Sequence, residues 1–110
     1  MTSVKFLADV KGLYGFEISG HCSCDGDDEI GKIDCAAVSS AAYMAANTIT
    51  EIIGDKADAA VDDAKMHFSV IAPTESSVHV LKGLQLHLEQ LSDQYSNNIK
   101  IHGGANHVKD

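Results

Sequence analysis

The sequence predicts an α+β domain: a four-stranded sheet with two helices packed on one face, in the order strand, strand, helix, strand, helix, strand. Three observations carry this expectation. Period-two alternation over residues 4–10, 14–19 and 66–72 marks strands. Apolar residues at helical spacing over 38–52 and 78–95 mark helices. A chain of 110 residues, 45% of them hydrophobic, can bury one core and has little room for a second. Residues 1–102 are therefore expected to form a single domain. The Gly-rich, polar stretch 103–110 is expected to be a flexible tail.

In the first segment Val4, Phe6, Ala8 and Val10 fall on one side, and Lys5, Leu7 and Asp9 on the other. Lys11-Gly12 supplies a turn, and Tyr14 to Ser19 returns as a second strand with Phe16 and Ile18 inward. Residues 20–32 hold glycines and acids without period and read as a long loop. Asp34 is a suitable N-cap for a helix beginning at Cys35. Val38, Ala42, Ala45, Ile49 and Ile52 share one face of that helix, and Gly54 is placed to stop it. Its opposite face carries Ala37, Ser40, Ala41 and Met44, and Cys35 to Thr50 has no charge. A helix uncharged all round is buried on more than one side, so a second copy of the chain is expected there. Residues 55–63 read as an acidic loop. Met66, Phe68, Val70 and Ala72 mark a third strand ending before Pro73. Thr74 caps a second helix with Val78, Leu81, Leu84, Leu88, Leu91 and Tyr95 on one face. Asn97-Asn98 ends it, and Ile99 and Ile101 begin a short last strand.

Charge narrows the function classes. Eight lysines, no arginine and 16 acids give a net charge of -8. Neither the total nor any segment supplies a basic stripe for phosphates, so direct nucleic-acid binding is not expected. An acidic surface instead complements a basic partner. No apolar run is long enough to span a bilayer, and residues 1–6 show no secretory signal pattern. Three cysteines, all between Cys22 and Cys35, make a poor disulfide framework. The expected setting is a reducing cytoplasm, without membrane contact.

Reactive residues concentrate in Gly20-His21-Cys22-Ser23-Cys24 and in Cys35. A thiol in the first turn of a helix faces unpaired N–H groups and the positive end of the dipole, which together stabilise thiolate. A histidine delivered by the second strand could form an ion pair with it and later protonate a leaving amine. Asp34 opposes this unless its capping bonds aim the carboxylate elsewhere. Two other readings of the same residues stand beside this one. Cys35 packs inertly like an alanine, or His21, Cys22, Cys24 and Cys35 form a metal or redox site, although one residue between paired cysteines is short for structural zinc. His67, His79, His87, His102 and His107 are expected to be solvated. Asp25, Asp27, Asp28 and Glu29 lack EF-hand spacing and read as a solvated acidic loop.

The string Phe16-Glu17-Ile18-Ser19-Gly20-His21, followed by a loop and then Ile33-Asp34-Cys35-Ala36-Ala37-Val38-Ser39, resembles the bacterial ribosomal-processing cysteine protease family, Prp. The resemblance extends over most of the chain. It implies a homodimeric cytoplasmic endopeptidase, free of metal and cofactor, that removes the N-terminal extension of a large-subunit ribosomal protein before ribosome assembly. It maps a catalytic dyad onto His21 and Cys35, the family glycine onto Gly20 and the family helix serine onto Ser39. Asp34 joins these as a supporting residue through its place beside the thiol. A basic ribosomal precursor would give the negative charge a purpose. The chain departs from the family pattern at Cys22, Lys32 and Asp34. Those departures motivate an alternative, a relative without turnover that serves ribosome assembly as a binding module.

Overall fold

The computed structural model describes residues 2–20, 29–62 and 65–103. Strands β1 (Thr2–Asp9) and β2 (Gly12–Ser19) form a hairpin. Helix α1 (Glu29–Asn47) runs into a π-helical turn (Thr48–Ile53). Strands β3 (Ala57–Val61) and β4 (Lys65–Val70) form a second hairpin, then come helix α2 (Glu75–Gln94) and strand β5 (Ile99–Gly103). The sheet has five strands in the order β3-β4-β2-β1-β5, antiparallel except where β5 lies parallel to β1.

The α+β class with two helices on a sheet stands, but the expected four strands become five. The strand missing from the sequence reading is β3. Its residues, Ala-Asp-Ala-Ala-Val, have little intrinsic strand preference and are mostly exposed, as a short sheet edge permits. Pairing with β4 makes it a strand. At the hairpin, Asp62 Oδ1 accepts from the Lys65 N–H at 2.8 Å.

Register explains the core. Phe6, Phe16 and Phe68 are directly opposite one another across β1, β2 and β4. Phe16 stacks on Phe68 with ring centroids 5.4 Å apart, and Phe6 tilts against Phe16 at 6.5 Å. Val4, Ile18 and Met66 form the next row on the same face. That face, Val38, Ala42, Ala45 and Ile49 of the first helix, and Leu81, Leu84 and Leu88 of the second form one continuous apolar cluster. The other face carries Lys5, Glu17, His67 and Ser69 and is not part of it. Ala8 and Val10 do not join the inward set: Ala8 is exposed, and Val10 lies in the turn, fully exposed. The cause is an irregularity after Leu7 that ends regular alternation.

Helix α1 departs from expectation at both ends. It begins at Glu29, so Asp34 is interior and not an N-cap. At the other end Thr48 Oγ1 donates to the Met44 carbonyl at 2.7 Å and Thr50 Oγ1 to that of Ala46 at 3.1 Å. Such back-bonding hydroxyls compete for carbonyls and loosen a helix, and here the chain widens into the π turn. The wider turn shifts the inward register by one residue. Ile52, expected inward, is 78% exposed, and Ile53 packs on the core instead. Gly54 ends the segment at φ 90, a left-handed cap that suits glycine.

Helix α2 matches its sequence. The Thr74 side chain caps it, accepting from the Ser77 N–H. Asp55, just beyond the π turn, braces that cap: one carboxylate oxygen accepts from the Thr74 N–H at 3.0 Å, the Thr74 hydroxyl at 2.8 Å and the Ser77 hydroxyl at 2.6 Å. These bonds, the Ser77 hydroxyl first, lower the pKa of Asp55. Tyr95, expected on the inner face, is the half-exposed C-cap residue. Gly103 belongs to β5, and residues 104–110 of the expected tail lie outside the described residues. No helix among the described residues is long and apolar enough to cross a membrane.

Candidate active site

Strand β2 is the middle strand of the sheet and ends at Ser19. Gly20 follows with φ 79, a left-handed conformation that turns the chain out of the sheet and that side chains disfavour. His21, Cys22 and Cys24 come next and lie outside the described residues, as do Asp25, Asp27 and Asp28. The His21–Cys35 pair, and the metal reading that adds Cys22 and Cys24, therefore have no described geometry. Among the described residues, no three metal-ligating side chains come together.

Cys35 is the seventh residue of α1 and its thiol is buried, 5% exposed. This corrects the expectation that it opens the helix. The N–H groups without helical partners belong to the first turn, residues 29–32, three to six positions before Cys35. The dipole's effect also fades within that turn. Neither the thiolate nor an oxyanion can then rely on the helix tip. The sequence reading took Gly31 and the nearby acids as loop markers, yet an acid such as Glu29 is favourable in a first helical turn. Ser39 lies one turn beyond Cys35 on the same side of α1 and is half-buried. Cys35 is buried yet stands apart from the continuous apolar cluster that takes Val38 and Ala42.

An open groove of about 610 Å³ runs between α1 and α2, lined by Ala37, Ser40, Ala41 and Met44 from one and Val80 and Gly83 from the other. Its α1 side is the small uncharged face expected to meet a second copy. Cys35 is not among its lining residues.

The family model of the cysteine protease Prp matches residues 1–100. This chain belongs to the Prp cysteine protease family. Among solved structures, the Staphylococcus aureus ribosomal processing protease Prp bound to a substrate peptide superposes with a TM-score of 0.84 at 18% identity, covering 94% of this chain and 99% of that one. The same S. aureus enzyme with a covalently linked product peptide gives a TM-score of 0.80 at 18% identity, over 94% and 99% of the two chains. SMU.848 from Streptococcus mutans gives 0.82 at 19% identity, over 94% and 95%. No curated protein matches. The Prp fold thus holds across the described elements, and the protein is a cysteine protease.

Two side-chain networks escaped the sequence reading. One is the Asp55 brace. The other joins Glu17, His67 and Ser69 on the open face of the Prp sheet. His67 Nδ1 lies 2.8 Å from Glu17 Oε2, and its Nε2 lies 3.3 Å from Ser69 Oγ. His67 does point outward as expected, but it is half-buried and bonded rather than simply solvated. Alternation places each residue on the outer face. Only the β2–β4 register, which sets Glu17 directly opposite His67, brings them together. His79, His87 and His102 are exposed as expected, and His107 lies outside the described residues.

Proposed function

We propose that this Prp protease removes the N-terminal extension of a large-subunit ribosomal protein before ribosome assembly, using a dyad of His21 and Cys35. The observation that carries this is the family match over residues 1–100 together with the Gly20-His21 and Cys35-to-Ser39 motifs inside it. Cys35 Sγ attacks the scissile carbonyl as thiolate, and His21 holds the proton taken from it. The C–N bond breaks as the imidazolium returns that proton to the leaving amine. Water, deprotonated by the same imidazole, then hydrolyses the thioester. Gly20, with its left-handed conformation at the end of the central strand, directly precedes His21 in the sequence. Ser39 supports from one turn beyond Cys35 on the same side of α1.

A net charge of -8 favours capture of a basic precursor and disfavours polyanions such as nucleic acid. The uncharged groove between α1 and α2 suits a second copy of the chain, giving a homodimer, and the cytoplasm is the compartment where the precursor is made. The test is cleavage of the purified ribosomal precursor. Cys35→Ala is expected to abolish product while the protein stays folded. An unchanged cleavage rate in that variant would remove the assignment. Ala41→Glu is expected to shift sedimentation from dimer to monomer, and a wild-type monomer at working concentration would remove the dimer.

A further inference from the structure

The open face of the sheet carries a second reactive constellation, unconnected with Cys35. Glu17 is ionised and can only accept hydrogen bonds, so it fixes the proton of His67 on Nδ1. The hydrogen bond from His67, with Lys65 and Lys5 as nearby positive charges, lowers the pKa of Glu17 against a smaller opposing effect of burial. The other ring nitrogen, Nε2, is then a lone-pair acceptor, and the group beside it is the Ser69 hydroxyl at 3.3 Å. The three side chains stand in the order carboxylate, imidazole, hydroxyl, with distances of 2.8 Å and 3.3 Å. This is the nucleophile–base–orienter geometry of acyl transfer.

Two features make the arrangement usable. Glu17 and His67 retain 28% and 35% exposure of their side chains, so small molecules reach the site. Ser69 also lines an open cleft of about 300 Å³, shared with Tyr14, Asp9 and Asp58. The phenol of Tyr14 is the one neutral hydrogen-bond donor among the side chains there apart from Ser69 itself. Asp9 and Asp58 give the cleft a negative lining, which favours a cationic acyl donor.

We propose that Ser69, with His67 as its general base and Glu17 as the orienting carboxylate, is a second nucleophilic site that accepts acyl groups from small, preferably cationic, esters. Ser69 Oγ bonds to the ester carbonyl carbon as its proton passes to His67 Nε2. The ester C–O bond breaks, and the alkoxide leaves with that proton as the alcohol. Acyl-Ser69 remains until water, deprotonated by His67, releases the acid and restores the hydroxyl.

The experiment uses the full chain carrying Cys35→Ala, which removes the protease thiol. The protein is treated with 4-nitrophenyl acetate or with a 4-nitrophenyl ester bearing a quaternary ammonium group. Acylated peptides are then mapped by tandem mass spectrometry. Ser3 and Ser19 share the same sheet face and serve as internal references. Ser69 is expected to label at least about tenfold faster than either, and His67→Gln is expected to remove that advantage. The cationic ester is expected to label faster than the neutral one at low salt, with the difference shrinking in Asp58→Asn. Labelling of Ser69 no faster than Ser3 and Ser19 overturns the proposal, as does an undiminished rate in a folded His67→Gln variant. Equal labelling by the two esters overturns the cationic preference. None of these readouts depends on precursor cleavage, so this site and the Cys35 protease stand or fall separately.

Discussion

Helices α1 and α2 differ by one residue in length, at 19 and 20, and lie in the same layer over the same sheet, yet their ends are made differently. The start of α2 is fixed by side-chain bonds from Thr74 and Asp55. Helix α1 starts at Glu29, and its far end runs into a π turn. Only α1 bears Cys35, the proposed nucleophile. Where hydroxyls and carboxylates close a helix, stability concentrates. Where a helix serves a reactive group, its geometry answers to the substrate as well as to its own bonds.

This contrast predicts that substitutions in the two helices separate activity from stability. The largest effect is on chemistry. Cys35→Ala is expected to reduce precursor cleavage by on the order of 10³-fold or more, as loss of a nucleophile does elsewhere, with a thermal midpoint near that of the wild type. A midpoint that falls sharply instead would make Cys35 a structural residue and erase the contrast.

In α2 the order reverses. Leu88 is fully buried in the shared cluster, so Leu88→Ala is expected to cost about 2–5 kcal/mol in urea unfolding. The folded fraction should still cleave at the wild-type rate. Thr74→Ala removes the cap of α2 and is expected to cost about 1 kcal/mol, again without change in kcat.

A pH experiment sharpens the same point. The pKa of Asp55 is lowered in the folded protein from its ordinary 3.8, by Ser77 and then Thr74. Its contribution is therefore present above pH 3.8 and disappears as pH falls through the lowered folded value. The unfolding midpoint of wild type minus that of Asp55→Asn should be larger at pH 6 than at the acid end. A difference independent of pH would show that the Asp55 charge does not contribute. The smallest effect tests the π turn: Ile52→Ser, at an exposed position, is expected to change stability by less than about 0.5 kcal/mol, whereas Ile53→Ser should cost more.

The parts of the fold legible in the sequence are those where one residue type carries the signal alone. Phe6, Phe16 and Phe68 announce three strands by alternation, and Thr74 with the leucines announces α2. The rest depends on partners distant in the chain. Ala57 to Val61 becomes a strand because β4 offers it hydrogen bonds, not because alanines prefer one. Ile52 faces water because two threonines upstream loosen the helix. At the site, two short motifs are enough to point to the family, whereas the helix-tip argument for Cys35 fails because Glu29 and Gly31 already belong to the helix. The Glu17–His67–Ser69 chain was invisible because it exists only through register.

The parallel pairing of β5 with β1 has a consequence for how the molecule is assembled. Thr2 lies beside Ile99, so an early strand waits for one of the latest before its outer edge is covered. A nascent chain carrying only the two hairpins and α1 would display an open row of backbone donors and acceptors, sticky toward its neighbours. Closure is a long-range event of the slow kind. Shortened chains that stop before Ile99 are expected to aggregate during synthesis rather than yield a smaller working protease.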